Sequence, residues 1–280
     1  MRIVVTGAGG YLGQGISRLL LNEGVNVVAA DRVLDHVDDR AEKIETDLFA
    51  LEDPYTFFGR PDAVLHLAWS DGFEHYSIKH MTELPNHYLF LKRLIENGIR
   101  KVCVLGSMHE IGFYEGSIDE NTPTNPQSLY GISKNALRQS IAILTPKYPF
   151  VFQWIRGFYI VGNVEHGSSV FSKIAQAEKR GDAYFPFTMG TNQFDFLDYE
   201  RFCRQVVSVV IQDKINGIIN CCSGTPIRIG ERAEQFIKKN NFRIKLKYGA
   251  FPDRPYDSKA VWGNDGKIQQ IMNAYNEDKV

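Results

Sequence analysis

Tyr130 and Lys134, in the run Ser128-Leu129-Tyr130-Gly131-Ile132-Ser133-Lys134, stand four residues apart. On a helix their side chains share one face and can serve one small site. A phenol titrates near pH 10 and is a poor acid or base at neutrality. A neighbouring ammonium favours the phenolate and is expected to draw that value down, giving a usable proton donor and acceptor. The spacing alone also fits two surface residues on a helix, so the elements around it decide.

At the amino terminus, the apolar run Arg2-Ile3-Val4-Val5 leads into Thr6-Gly7-Ala8-Gly9-Gly10-Tyr11-Leu12-Gly13, and then into a helical pattern of Ile16, Leu19, Leu20 and Leu21. A second apolar strand, Val25 to Ala30, ends at Asp31. Strand, glycine turn, helix, strand and a terminal acid within about 30 residues form a dinucleotide-binding unit. Leu12 breaks the G-x-G-x-x-G spacing, and the glycines run Gly7-x-x-Gly10-x-x-Gly13 instead. Glycine allows the turn and close backbone approach, and the helix amino end offers N–H groups to a pyrophosphate. Asp31 suits a ribose diol and favours NAD(H). Arg32 could hold a 2′-phosphate and keeps NADP(H) open.

The chain has 280 residues, 44% apolar and 23% charged, with a formal net charge of −1. That suits one large α/β domain with a lobe, and gives no electrostatic reason to expect nucleic acid or an anionic membrane as partner. No apolar run approaches the roughly 20 residues of a membrane span, and the first strand begins at residue 2, so a cytoplasmic protein is expected. Cys103, Cys203, Cys221 and Cys222 show no C-x-x-C spacing and read as buried reduced thiols; no metal is expected.

Further strands fit Ala63–Ala68, Lys101–Leu105, Phe150–Ile155 and Gly217–Cys222, and helices fit Leu84–Glu96, Gly131–Leu144, Glu200–Gln212 and Arg232–Lys239. This alternation predicts a Rossmann-type, doubly wound parallel sheet. Composition shifts after Gly162. Residues 1–162 plus 193–222 are therefore assigned to the dinucleotide-binding domain, and 163–192 plus 223–280 to a smaller substrate lobe.

With these motifs in order, the chain resembles the extended short-chain dehydrogenases/reductases, the nucleotide-sugar epimerase, dehydratase and reductase group. The likeness spans nearly the whole length. It is carried by Thr6 to Gly13, Asp31, Asp47-Leu48, His66-Leu67-Ala68, Asn86, Ser107, Tyr130 with Lys134, Arg156 and Gln193 to Asp198. The resemblance implies that Gly7, Gly10, Tyr11, Leu12, Gly13, Asp31, Arg32, Asp47, Leu48, Leu67 and Ala68 line a dinucleotide. Asn86 would prop the active site. Ser107, at the carboxyl end of its strand, would polarise a substrate oxygen, while Tyr130 moves the proton and Lys134 holds both the tyrosine and the nicotinamide ribose. The alternative for Ser107 is a capping serine after Gly106.

Departures from the group's pattern narrow the reaction. Its dehydratases carry Asp-Glu after the catalytic Ser/Thr, where this chain has Met108 and His109. Its double epimerases place a cysteine at the position of His109. Met108 and His109 are candidate substrate contacts, His109 being otherwise a loop histidine with a structural partner. Tyr159 replaces an asparagine common in the sugar epimerases. The tail around Arg254-Pro255-Tyr256-Asp257-Ser258 resembles nucleotide-sugar 4-ketoreductases, in which an arginine meets the diphosphate; the other reading of Arg254 is a surface arginine. The expectation is an NAD(P)H-dependent reductase of a 4-keto, 6-deoxy nucleoside-diphosphate sugar. The alternatives are a 4-epimerase with tightly held NAD and a non-catalytic dinucleotide-binding regulator. The resemblance also implies a homodimer formed through the helices Leu84–Glu96 and Gly131–Leu144.

Overall fold

The computed structural model describes residues 1–162, 169–252 and 258–277. β1 (Arg2–Thr6), α1 (Tyr11–Asn22) and β2 (Asn26–Asp31) make the first unit, followed by β3 (Glu42–Glu45), the one-turn α2 (Pro54–Phe57) and β4 (Ala63–His66). Next come α3 (Lys79–Glu96), β5 (Lys101–Ser107), β6 (Gly116–Ile118), α4 (Leu129–Ala142) and β7 (Val151–Gly157). Then follow β8 (Tyr159–Val161), α5 (Val170–Arg180), β9 (Tyr184–Pro186), β10 (Gln193–Asp198), α6 (Tyr199–Ile211) and β11 (Gly217–Cys221). The chain closes with β12 (Pro226–Arg228), α7 (Ile229–Lys239), β13 (Lys245–Lys247), β14 (Ala260–Gly263) and α8 (Gly266–Glu277).

Seven strands pair in parallel in the order β11-β7-β5-β4-β1-β2-β3, the expected doubly wound sheet. Both faces of such a sheet must be covered, and the pleat sends alternate residues to two cores. Ile3, Val5, Val27, Ala29 and Leu65 meet Ile16 and Leu20 of α1 and Phe202 and Val206 of α6. Val4, Val28, Val64 and Val102 meet Phe90, Leu91 and Leu94 of α3 and Leu137 of α4 on the other face. The chain runs outward from β1 to β3 and returns to β4 on the opposite side of β1. The strand order therefore reverses between β1 and β4, where ligand crevices of such sheets open.

β10 lies in a stretch expected with the dinucleotide-binding part, yet it pairs with β8, β12 and β14 in a second sheet that ends at β6. The fully buried Asp195 explains the attachment: its carboxylate accepts from Ser223 N (2.7 Å), Gly224 N (3.0 Å) and Gly263 N (3.1 Å). α6 and β11, which follow it, do pack on the first sheet. α3 begins at Lys79, not Leu84, and carries Pro85 inside it. The proline removes one helical hydrogen bond, and the burial of His80, His87, Phe90 and Leu91 along the helix outweighs that loss. All four cysteines are free and buried. Among the described residues no helix is long and apolar enough to cross a membrane.

Candidate active site

The glycine turn is built by close approach. Gly7 has φ +71°, donates to Ala30 O (3.0 Å), and a Cβ there would lie 2.6 Å from Ala68 N. A Cβ on Gly13 would fall 2.2 Å from Gly7 O and 2.7 Å from Ala8 Cα. Gly10 caps α1 in extended conformation with no side-chain acceptor, and the first turn, Tyr11-Leu12-Gly13, contains no acid. The amino-terminal N–H groups and the positive end of the helix dipole are thus left for an anionic ligand. Gly13→Ala is expected to destabilise the fold by about 1–3 kcal/mol, because backbone rather than a flexible side chain opposes the new methyl. Thermal melting together with a dinucleotide titration checks this, the variant binding more weakly.

Asp31, at the end of β2, accepts from Gly9 N (3.0 Å) and from Arg32 N (2.7 Å), with Arg32 exposed beside it. Each carboxylate oxygen keeps lone-pair capacity for a diol. Asp47 caps the short 3₁₀ turn Leu48–Ala50 through Phe49 N (3.0 Å), and Leu48 is buried. Leu67 N donates to Thr6 O (3.1 Å), so the Leu67-Ala68 turn closes over the end of β1. Below it runs a buried chain: Thr6 Oγ1 to His66 Nδ1 (2.8 Å), then His66 Nε2 to His87 Nδ1 (2.9 Å). Asn86, expected to prop the site, is exposed; its neighbour His87 is the residue turned inward. Burial and the nearby Lys134 keep both of these imidazoles neutral, with His87 lowered to about 3.

Ser107 ends β5 in an extended conformation. It also caps the 3₁₀ turn Met108–Glu110: His109 N donates to Ser107 Oγ (3.3 Å) and Glu110 Oε1 accepts from Ser107 N (2.6 Å). Tyr130 enters on the first turn of α4, whose N-cap Ser128 accepts from Gly131 N (3.1 Å). The Ser107 side chain is close enough to the Tyr130 phenol to favour its ionised form. Lys134, one turn on, donates to Leu105 O (2.8 Å) and lies 3.8 Å above the Trp69 ring. The three residues therefore converge where β5 meets α4.

The electrostatics differ from the sequence expectation. Burial pushes Tyr130 up to about 12; the nearby Ser107 hydroxyl lowers it and Glu110 raises it further. Burial lowers Lys134 to about 7, and Glu110 opposes that fall. The ammonium does not pull the phenol down, because it points at Leu105 O and Trp69 and stands 5.9 Å from the Tyr130 ring centroid. Desolvation dominates both groups.

Other expected contacts fall in different places. Met108 is 5% exposed and belongs to the core cluster. His109 stands edge-on to Tyr130 (6.1 Å) and Tyr159 (6.4 Å), held at about 4 by burial and by His75. Tyr159 packs on Phe194 and Phe196. Arg254 lies outside the described residues. Tyr11 buries a hydroxyl with no partner and stacks near Tyr199, whose hydroxyl donates to Tyr11 O (2.6 Å). A cleft of about 630 Å³ opens there, lined by Tyr11, Gly162, Tyr199 and Arg232, and contains none of Ser107, Tyr130 and Lys134. Among the described residues no cluster of metal ligands occurs.

Four aromatic groups and one acid at this site were not read from the sequence. His75 stacks flat on Tyr130 (5.1 Å, 10°), and its carbonyl accepts from Tyr130 N (3.0 Å). Trp69 stacks on His87 (4.4 Å) and donates to His80 Nδ1 (3.0 Å). Glu110 is wholly buried beside Ser107. Only Glu110 left a readable signal, the S-x-x-E capping-box spacing of Ser107 to Glu110.

Residues 3–222 match the model of the NAD dependent epimerase/dehydratase family. The chain is 41% identical over 271 residues to the dTDP-6-deoxy-L-talose 4-dehydrogenase (NAD(+)) of Aggregatibacter actinomycetemcomitans, covering 94% of this chain and 99% of that protein. It is similar in structure to the UDP-N-acetylglucosamine 4-epimerase from Methanobrevibacter ruminantium M1 in complex with UDP-N-acetylmuramic acid, at TM-score 0.84 and 19% identity, covering 96% of this chain and 91% of that one. It is also similar to the UDP-glucuronic acid 4-epimerase from Bacillus cereus in complex with UDP-glucuronic acid and NAD, at TM-score 0.81 and 19% identity, covering 98% and 93%. At these identities the solved structures share the fold alone.

Proposed function

The chain belongs to the NAD-dependent epimerase/dehydratase family, and we propose that within it the protein is an NAD(H)-dependent C4 oxidoreductase of a dTDP-6-deoxyhexose, working as the 4-ketoreductase. The observation that carries this is the 41% identical relative, covered almost end to end, whose stated reaction is oxidation at C4 of dTDP-6-deoxy-L-talose with NAD(+). The residues present fit the dinucleotide. The uncapped head of α1 would take its pyrophosphate and Asp31 its adenosine ribose, with Gly7 and Ala68 in close backbone contact beside them. When bound, the nicotinamide supplies the hydride chemistry.

The chain's own groups handle the oxygen and the proton. Ser107 would donate to the C4 oxygen and stabilise the charge that gathers there. Tyr130, held at about 12 by burial, is protonated at neutral pH and suited to give its proton to that oxygen. In the reverse direction the same phenol would have to lose its proton before accepting one from the C4 hydroxyl. Lys134 uses one of its donors on Leu105 O and retains others for the nicotinamide ribose. His109 and Tyr159 would border the sugar, and the nucleoside is assigned to the lobe of residues 163–192 and 223–280. Incubation with dTDP-6-deoxy-L-talose and NAD(+) should generate NADH in proportion to ketone formed, and the 4-keto sugar with NADH should consume it. Inversion of the hexose at C4 without net change in NADH would overturn this in favour of an epimerase.

The homodimer is proposed through α3 and α4, which expose Met81, Leu89 and Ile132 on their outer faces. Leu89→Arg with Ile132→Asp is expected to halve the mass found by light scattering. A wild-type protein that is already monomeric would refute the dimer.

A further inference from the structure

Glu110 is a carboxylate with no exposure to water, which is costly unless ion pairs and hydrogen bonds replace its hydration. Its partners come from β5 and α4, which carry Ser107, Tyr130 and Lys134, and from β7, the strand paired with β5. From β5, Ser107 N donates to Oε1 (2.6 Å). From β7, Trp154 Nε1 donates across both oxygens (2.9 Å each), and Arg156 Nη2 lies 3.6 Å from Oε2. From α4, Arg138 Nε lies 3.7 Å from Oε2. Arg138 stands four residues beyond Lys134 and eight beyond Tyr130, so all three fall on one helix face. Gly106 makes the room: a Cβ there would lie 2.1 Å from Trp154 Nε1 and 2.6 Å from Glu110 Oε1. Arg138 Nε and Arg156 Nη2 are buried without a hydrogen-bond partner, so Glu110 is the charge that answers them.

We propose that Glu110 is the positioning residue of the reaction, a buried anion that clamps the strand end bearing Ser107 to the helix bearing Tyr130 and Lys134. This rests on the assignment of Ser107 and Tyr130 to the C4 oxygen. The clamp fixes the strand end that carries Ser107 against the helix that carries Tyr130, and so the spacing of the two hydroxyls. A loosened active-site geometry costs rate far more readily than it costs binding. Burial raises Glu110 above the usual carboxylate range while Arg156, Ser107 N, Trp154 and Arg138 draw it back; in its ionised form it opposes a phenolate at Tyr130 and favours the ammonium at Lys134. The other titratable groups facing Tyr130 are His109 from the turn after β5 and His75 and His80 from the 69–80 segment, with Arg138 and Arg156 beyond Glu110.

Glu110→Gln keeps the size of the side chain and an acceptor for Ser107 N while removing the charge. Its kcat for reduction of the dTDP-4-keto-6-deoxy sugar is expected to fall about 10- to 100-fold, with KM for the sugar nearly unchanged. The alkaline limb of its kcat–pH profile is expected to move to lower pH, because two unanswered guanidinium groups then favour the phenolate. Arg138→Gln loosens only the α4 side of the clamp at a partly exposed residue, and should give a smaller fall of the same kind. It decides the matter if Glu110→Gln does not fold. A folded Glu110→Gln with wild-type kcat or with an unmoved pH limb, or failing that a folded Arg138→Gln with wild-type kcat, would overturn the proposal. Ser107→Ala and Tyr130→Phe are assayed alongside. If they retain full rate, the underlying assignment is at fault. If they lose rate while the Glu110 and Arg138 variants do not, only the clamp is.

Discussion

Tyr130→Phe is expected to lower kcat for reduction of the 4-keto sugar by about 10²–10⁴-fold, the usual contribution of one positioned proton donor. The substitution removes the hydroxyl and leaves the ring, whose stacking on His75 and edge contacts with Trp69 and His80 hold α4 in place. Binding of the sugar nucleotide and the melting temperature should therefore stay close to wild type, which separates a lost proton from a damaged site. The sign of the pH dependence follows from burial. With Tyr130 at about 12, the donor remains protonated across neutral pH, so reductive kcat should be flat there and fall only toward strongly alkaline pH. The phenylalanine variant should lose that alkaline limb along with the rate. Calorimetric titration of the sugar nucleotide beside steady-state rates tests both statements. A variant with near wild-type kcat would remove Tyr130 from the chemistry.

Lys134→Met should abolish most of the activity and at the same time raise the melting temperature below pH 7. Lys134 titrates near 7 in the folded protein against 10.5 for an ordinary lysine. Between those values the unfolded chain binds more protons, so stability rises with pH through that window. Below pH 7 both states are charged, and the full penalty of a buried ammonium is present. Methionine removes that penalty and forfeits the hydrogen bond to Leu105 O, worth about 1 kcal/mol net, and the contact with Trp69. The gain in melting temperature should thus be largest at pH 6 and shrink toward pH 10. A gain independent of pH, or none at pH 6, would contradict the role of desolvation. The expected pattern is a trade of stability for function at one side chain.

Much of the frame was open to inspection in the chain itself. The alternation of apolar strand and helix patterns read out six strands of the main sheet, all but the largely exposed β3, and Gly7, Gly10 and Gly13 marked the turn between β1 and α1. Tyr130 and Lys134 announced their shared helix face by a spacing of four. The misses have equally specific causes. Asn86 was expected to prop the site from the resemblance alone, and packing turns its neighbour His87 of α3 inward instead. Residues 193–198 were grouped with the dinucleotide-binding part and form β10, which the three backbone donors that converge on Asp195 tie to the smaller sheet. Met108 beside Ser107 looked like a substrate contact and is core.

The sequence by itself determined what is local in the chain: the glycine turn, the order of strands and helices, and the residue types able to polarise a carbonyl and move a proton. Tertiary structure alone decided the proton affinities and the company those residues keep. His75 reaches the Tyr130 ring across 55 positions of chain, and Glu110 meets Arg138 and Arg156 across 28 and 46. Spacing along a chain carries no record of such meetings. Desolvation, which lifts the phenol and lowers the ammonium here, exists only once the elements have closed around both.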